Sequence, residues 1–305
     1  MATTKPKKTA SKAKSSTKAK TTAKAPKTAK VSKPAVVAAE KKVEQKVDKK
    51  QTNVVKEFFA KKYTAEESIL TIFKDKKLYG ALIGEVFGTM LISMVLLTLG
   101  VYNPLYLIFV VVAATAVVYT LSGAHLNPLV TVGMMASRRV SVIRGVLYII
   151  AQILGAWIGL IIINAFRLAG GELAELPAMA AIDNFWVVAM IELLGAVIIG
   201  FFFARAQQYK RSALTFASVI GGGVLIAFVI VLMVSNYCSL SNNFILNPAM
   251  ALMFQILPTS GETAGELLGG IGLALLTYMV FPMVGGVLGF YISDIAGKLK
   301  GENLD

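Results

Sequence analysis

The sequence predicts an all-α integral membrane protein, in which six transmembrane helices and two half-membrane re-entrant helices form an inverted repeat. Composition is the first observation behind this prediction. The chain is 56% hydrophobic with a mean hydropathy of +0.67, whereas soluble domains are about 45–50% apolar. The second observation is six apolar runs long enough to span about 30 Å of hydrocarbon. The third is a pair of shorter apolar segments that each begin with Asn-Pro.

Charge divides the chain into a cationic tail and a nearly neutral body. Residues 1–62 contain 19 Lys and 4 acidic residues, whereas the remainder contains 12 basic and 13 acidic residues. Low apolar content predicts a disordered Lys/Ala-rich cytoplasmic tail over 1–62, followed by an interfacial amphipathic segment over 63–78. The single cysteine, Cys238, excludes an internal disulfide framework. No secretory signal is recognised at the N-terminus, so we expect the body to direct membrane insertion.

The channel-forming body is predicted to cover residues 79–295, with a cytoplasmic C-terminus over 296–305. Its six spans are expected near 79–99, 104–121, 142–164, 185–204, 214–235 and 267–291. Basic residues cluster on one side of these spans: Arg138, Arg139, Arg144, Arg205, Lys210, Arg211, Lys298 and Lys300. The other side carries Glu172, Glu175, Asp183, Glu262 and Glu266, with Arg167 as the exception. The positive-inside rule therefore predicts that both termini are cytoplasmic.

Two apolar segments, 127–136 and 247–256, are too short to span and occupy equivalent places in two halves, 79–164 and 185–291. The halves also share a Glu-x-x-Gly pattern that begins at Glu85 in the first half and at Glu192 in the second. Each half has three spans, an odd number, so the second half must run inverted relative to the first. Short segments at corresponding positions of inverted repeats indicate a site near the bilayer midplane.

Each Asn-Pro pair predicts the start of a half-length helix, because Asn is a preferred N-cap and Pro is favoured at the first helical position. The two helix N-termini would meet at mid-membrane and bring their positive dipole ends and the amides of Asn127 and Asn247 together. That arrangement favours neutral polar solutes and repels cations. Non-helical backbone before each pair would offer pore-lining carbonyls from Gly123, Ala124, His125, Asn243, Phe244 and Ile245.

These motifs carry a specific family resemblance. SGAHLNPLVT at 122–131 and NPA at 247–249 closely resemble the paired signature loops of the aquaporin and glycerol-facilitator (major intrinsic protein) family. YIIAQILGA at 148–156 and YMVFPMVGG at 278–286 are similar to the family's third and sixth spans. The resemblance implies an aquaporin-like right-handed bundle with one pore per subunit, and a homotetramer. It also implies the pore motifs Asn127, Pro128, Leu129, Asn247, Pro248 and Ala249, with Leu129 replacing the family's Ala.

The resemblance further implies a selectivity filter formed by Leu107, Ser235, Phe244 and Met250. Met250 occupies the position where family members usually carry Arg, so this filter would be uncharged. Ser235 replaces the His of water-selective members, and Phe244 matches an aromatic residue of glycerol-type members. Two opposite consequences stay open. A wider filter would admit glycerol, urea, ammonia or peroxide, whereas an apolar constriction can also exclude water by dewetting.

The remaining intramembrane polar residues each have two interpretations. Glu85 and Glu192 would serve either as a proton or sodium relay or as structural acceptors for N–H groups of the non-helical loops, and the resemblance implies the structural role. The resemblance places His125, the only histidine, in the pore lining, whereas Gln152 is predicted to hold helices together. Close helix crossings are predicted at Gly84, Gly88, Gly155, Gly159, Gly285 and Gly289.

The sequence therefore predicts a passive channel for small neutral solutes, with no cofactor, no metal and no enzymatic site. One alternative is a gradient-coupled transporter that uses Glu85 and Glu192. Another is a poorly conducting membrane scaffold with a polyanion-binding tail. For the tail, anionic lipid is the favoured partner at about 1 kcal/mol per Lys, ahead of nucleic acid, since no aromatic residue precedes Phe58 to stack on bases.

Overall fold

The structure is a computed structural model that describes residues 69–96, 98, 104–171, 184–208, 212–240, 244–253 and 264–301. These residues all belong to one of the two compact units of the chain, residues 51–305. The predicted tail, 1–62, lies outside the described residues. So do residues 63–68 of the predicted surface segment, Asn243, and residues 254–256 of the second short segment.

The described part of the chain is helical apart from its turns and loops, includes π-helical residues at 96, 98, 252–253 and 276–280, and contains no strand. Its helices are α1 (Ile69–Ile72), α2 (Lys76–Val95), α3 (Pro104–Ser122), α4 (Pro128–Ala136), α5 (Val142–Ala169), α6 (Phe185–Gln208), α7 (Ala213–Tyr237), α8 (Pro248–Ala251), α9 (Ala264–Leu275) and α10 (Phe281–Lys300). The π-helical turn, Leu276–Val280, joins α9 to α10. Six helices are long and apolar enough to cross a membrane. The predicted all-α membrane architecture is therefore confirmed.

Several helices extend beyond their predicted spans, and the two longest extensions are at the C-terminal ends of α5 and α10. Helix α5 continues to Ala169 rather than stopping at 164, and α10 continues to Lys300 rather than stopping at 291. Asp294 explains the second difference, because this carboxylate is buried inside the bundle and accepts hydrogen bonds from Arg139 and Gln208. The carboxylate of Asp294 is neutralised by Arg139, which lies between α4 and α5, rather than by water.

The predicted surface segment ends earlier than expected, because residues 76–78 already belong to α2. Asp75 caps this helix, and its side chain accepts the N–H of Lys77 at 3.0 Å. The pKa of Asp75 lies below its ordinary value because this N–H, and then the Arg144 guanidinium at 3.2 Å, favour the carboxylate. Asp75 and Arg144 thus join the start of α2 to the first turn of α5.

Helix α2 packs along α5, and α6 packs along α10, in the same way in both halves. Glycines make both contacts close. A Cβ added to Gly159 on α5 would lie 2.9 Å from the Met90 carbonyl oxygen, and one added to Gly285 on α10 would lie 2.5 Å from the Leu193 carbonyl oxygen. These glycines therefore let the helix backbones approach each other directly, as in membrane bundles generally.

A methyl group at Gly200 tests this packing. A Cβ there would lie 2.5 Å from the Gly286 carbonyl oxygen, and backbone cannot move aside as a flexible side chain can. We expect Gly200→Ala to destabilise the bundle by about 1–3 kcal/mol, the usual cost of overpacking. The measurement is the Tm of the detergent-solubilised protein. Gly222→Ala is the matched control, because nothing lies within 4 Å of its added Cβ. Equal Tm values for both variants would contradict the prediction.

Candidate functional site

The two Asn-Pro pairs begin helices as predicted. Asn127 has an extended backbone (φ −159°, ψ 125°), and its Oδ1 accepts the N–H of Leu129 at 3.0 Å. Asn247 repeats this geometry (φ −147°, ψ 103°), and its Oδ1 accepts the N–H of Ala249 at 3.1 Å. Pro128 and Pro248 follow as the first residues of α4 and α8. Both asparagines are therefore N-caps with fixed side-chain orientations.

The asparagine side chains also bond each half of the repeat to the other. Nδ2 of Asn127 donates to the Leu246 carbonyl oxygen at 2.9 Å, and Nδ2 of Asn247 donates to the Leu126 carbonyl oxygen at 3.1 Å. A carboxamide nitrogen carries two hydrogens. Among the described residues we find no acceptor for the second N–H of either asparagine. Because both side chains line the same cavity, these two donors are available to a solute.

The backbone before each asparagine has an unusual conformation. Ala124 and Leu126 have φ values of 52°, Leu246 has a φ of 55°, and Gly123 has a φ of 85°. Left-handed conformations at non-glycine residues each cost about 1–3 kcal/mol and persist only where surrounding contacts hold them. In this fold, two buried carboxylates supply those contacts.

Glu85 holds the first of these loops. Its Oε1 accepts the hydroxyl of Ser122 at 2.5 Å and the N–H of His125 at 2.9 Å. Its Oε2 accepts the N–H of Leu126 and the Nε2 of Gln152, both at 2.7 Å. The side chain has no solvent exposure. Glu85 therefore acts as an acceptor for every donor around it, which is the behaviour of a carboxylate.

Glu192 holds the second loop at the equivalent positions. Its Oε1 accepts the N–H of Ile245 at 2.6 Å, and its Oε2 accepts the N–H of Leu246 at 3.1 Å. Ile245 and Leu246 stand two residues and one residue before Asn247, as His125 and Leu126 stand before Asn127. Both acids thus satisfy the same two backbone groups in their respective halves, and these contacts favour the structural role over the relay.

A cavity of about 50 Å³ runs past both asparagines. It holds more than one water molecule, since a single water needs about 10–15 Å³. The first span of each half contributes two residues to the cavity wall, which stand seven and eleven positions after the glutamate of that span. The second span of each half contributes three residues, spaced four positions apart. These lining residues are Ile92, Leu96, Ile199 and Phe203, and then Leu107, Val111, Thr115, Ile220, Val224 and Phe228. The wall is therefore mostly apolar, and it combines equivalent positions of both halves.

Two of the four predicted filter residues, Leu107 and Met250, line this cavity. Ser235 is 1% exposed and is not among its lining residues, and Phe244 packs its ring 5.6 Å from that of Phe228 instead. Helix α7 thus contributes Phe228 where counting back from Asn247 had pointed to Ser235. Phe228 and Ser235 both belong to α7, about two helical turns apart. The filter assignment stays a prediction.

Only some of the residues predicted to offer carbonyls to the pore line the cavity. Ala124, His125 and Ile245 line the cavity, whereas Gly123 and Phe244 are not among its lining residues and Asn243 lies outside the described part. The sequence analysis does not predict a role for the carbonyls of Leu126 and Leu246, yet these carbonyls accept the asparagine amides. Their position directly before Asn-Pro in both halves is the signal that could have identified them.

Gln152 has a more specific contact than helix packing. Its Nε2 donates to Glu85 and also to Oγ1 of Thr131, at 2.9 Å. Thr131 Oγ1 in turn lies 3.2 Å from Nδ1 of His125. Gln152 and Thr131 therefore connect the buried Glu85 carboxylate to the imidazole ring of His125, which borders the cavity. Within the described residues, no group of three or more His, Cys, Asp or Glu could hold a metal ion.

Six long apolar helices and two short helices that meet end to end at a narrow cavity define a membrane channel. The sequence matches the Major intrinsic protein family over residues 72–292. The chain belongs to this family. Aquaporins of this family are channels and not enzymes.

Curated relatives are aquaporins of plants. A probable aquaporin PIP2-1 of Oryza sativa subsp. japonica is 46% identical over 113 residues, which are 35% of this chain and 37% of that one. Probable aquaporin PIP2-5 of Arabidopsis thaliana is 33% identical over 109 residues, with 35% and 37% covered. The chain thus spans little more than a third of the length of these relatives. Among solved structures, the aquaglyceroporin from Plasmodium falciparum aligns with a TM-score of 0.48 and 18% identity over 73% of this chain and 96% of that one.

The two glutamates differ in how well a glutamine can replace them. Gln at 85 would turn its NH2 towards the N–H of either His125 or Leu126, because both carboxylate oxygens accept backbone donors. Gln at 192 can leave its single oxygen between Ile245 and Leu246, which lie 2.6 Å and 3.3 Å from Oε1. We expect Glu85→Gln to cost about 1–3 kcal/mol, the penalty for an unpaired buried donor, and Glu192→Gln to cost less.

The Tm values of both variants in detergent test this difference. Solute flux of Glu192→Gln in proteoliposomes adds the functional readout, and we expect flux close to that of the wild type. Loss of flux in Glu192→Gln at unchanged Tm would contradict the structural role and favour the relay.

Proposed function

We propose that the protein is a passive channel for small neutral solutes with a broad, glycerol-type profile and a filter that lacks the usual arginine. The supporting observation is that Asn127 and Asn247 each keep one N–H available to a single narrow cavity whose wall is otherwise mostly apolar. A hydroxyl oxygen that passes between them meets two donors. The carbon side of a small polyol meets aliphatic side chains.

Charge selectivity follows from the same arrangement. The N-terminal ends of two short helices carry partial positive charge, and none of the residues around this cavity is acidic. Glu85 and Glu192 are buried, with their oxygens committed to loop donors. A cation would lose its hydration shell and find no compensating carboxylate, whereas a neutral solute exchanges water for asparagine donors.

The solute profile rests on Leu107, Phe228 and Met250, the apolar side chains near one end of the cavity. An arginine at 250 would narrow this end and give it a charge. Met is flexible and polarisable and adapts to solutes of different shape. We therefore favour passage of glycerol, with urea, ammonia and peroxide as further candidates, over closure by dewetting. The similarity to plant aquaporins supports water as a second permeant.

Stopped-flow light scattering on proteoliposomes under a glycerol gradient tests the proposal directly. We expect fast shrinkage as water leaves and fast reswelling as glycerol enters, both faster than in empty liposomes. Shrinkage and reswelling at the rates of empty liposomes would instead favour an apolar end that excludes water.

Met250→Arg tests the filter. A guanidinium in this apolar end narrows it and must be desolvated, so we expect glycerol flux to fall about tenfold, equivalent to ~1.4 kcal/mol of barrier. Met250→Leu is the control, because it keeps size and polarity. Unchanged glycerol flux in Met250→Arg would remove Met250 from the solute path.

We propose that the channel is a homotetramer in the cell membrane. We also propose that both termini are cytoplasmic, because the Lys and Arg distribution favours that orientation. The tail, with 19 Lys in residues 1–62, would contact anionic lipid headgroups first and nucleic acid second. Binding of either kind would weaken as salt concentration rises.

Deleting residues 2–53 distinguishes the channel from the scaffold alternative. A passive channel keeps its glycerol flux after the deletion, because the pore residues lie in the body. We expect that flux to be unchanged when a proton or sodium gradient is added or collapsed. Flux that depends on either gradient would favour the coupled transporter. A wild type that shows no solute flux but binds anionic vesicles through its tail would favour the scaffold.

A further inference from the structure

Two aromatic rings meet edge to face in the wall of the cavity, and a solute must pass beside them. His125 and Phe203 both line the cavity, and their ring centroids lie 5.9 Å apart at an interplanar angle of 87°. This is edge-to-face contact, so no solute fits between the rings. Tyr148 and Phe290, which pack behind them, are not among the lining residues. We call His125 and Phe203 the ring pair.

Phe203 is held in place from behind. It is 1% exposed, and its ring packs against Phe216 at 5.4 Å and against Phe290 at 6.0 Å. Phe290 is itself fixed, because its ring fills the space beside Gly133 and the Arg139 guanidinium lies 5.4 Å from its centre. Phe203 therefore cannot swing away from the cavity without displacing neighbouring side chains.

His125 is equally constrained. Its backbone N–H donates to Glu85, its Nδ1 lies 3.2 Å from Thr131 Oγ1, and its ring meets Tyr148 edge-on at 5.1 Å. The ring pair is therefore a rigid wall with one polar edge.

The opposite end of the cavity is adaptable. Leu96 occupies the position in the first half that Phe203 occupies in the second, eleven residues after the glutamate. Leu96 directly follows α2 and Leu107 lies in the first turn of α3, so both lie at this end, and we place Met250 there together with the aromatic Phe228. Met has three rotatable bonds and adjusts to irregular shapes. A solute can thus displace side chains at the Met250 end but not at the ring pair.

We infer that the ring pair, rather than the apolar end around Met250, sets the largest solute that passes, and that Phe203 is a specificity-determining residue. This inference rests on the proposed function in that neutral solutes traverse the cavity. It assigns polarity selection to the Met250 end and size selection to the ring pair.

The test compares the permeabilities of glycerol and erythritol, a four-carbon polyol, in proteoliposomes. Phe203→Leu removes the ring edge from the wall, and we expect the erythritol-to-glycerol permeability ratio to rise about tenfold, a typical effect of a small change in an apolar pocket. Phe216→Leu is the matched control, because it removes a ring from the same cluster without changing the lining. Met250→Ala enlarges the other end. Equal amounts of correctly inserted protein are confirmed by Tm and size-exclusion profile.

The expected result is a raised ratio in Phe203→Leu, a ratio near the wild type in Phe216→Leu, and a clearly smaller increase in Met250→Ala than in Phe203→Leu. A raised ratio in Met250→Ala but not in Phe203→Leu would overturn the inference and leave the proposed channel intact. Equal increases of the ratio in Phe203→Leu and Phe216→Leu would have the same meaning. If the wild type passes neither polyol and Phe203→Leu passes both, the proposed solute profile is wrong and the constriction is supported. If neither protein passes either polyol, both are overturned.

Discussion

The fold depends on how the backbone polar groups are satisfied where two loops interrupt helices inside the membrane. Hydrocarbon offers no hydrogen-bond partner, so each such group must find one within the protein. Glu85 and Glu192 accept the N–H groups of the two residues before each asparagine. The carbonyls of Leu126 and Leu246 receive the amides of Asn247 and Asn127 from the opposite half. The halves are therefore locked together at the point where solute passes.

This solution to a folding problem also creates the chemistry of the pore. An asparagine that caps its own helix and bonds the opposite loop has used its oxygen and one of its two amide hydrogens. The remaining hydrogen has no partner among the described residues other than what occupies the cavity. Donors to the solute are thus set at fixed positions by the same bonds that hold the loops, and no additional binding residue is required there.

Much of this arrangement is readable in the sequence because it repeats. Asn-Pro twice, Glu-x-x-Gly twice and six long apolar runs predict the class, the inverted halves and the meeting of the short helices. What the sequence does not reveal depends on cross-helix contacts. Phe228 of α7 lines the cavity, whereas Ser235 of the same helix is not among its lining residues. Asp294 lies inside α10 because Arg139, far away in sequence, neutralises it.

The two halves are symmetric in backbone role but not in the side chains that face the solute. The first half places Leu96 where the second places Phe203, and the first has His125 where the second has Ile245. Inversion sends these unlike residues to opposite ends of one cavity. The touching rings of His125 and Phe203 therefore lie at one end, and Leu96 and Met250 lie at the other beside Phe228, with the asparagine donors between the two ends. In the proposed channel, the donors and helix dipoles exclude cations at the centre, so the end that carries Met250 needs no charge of its own for the pore to reject ions.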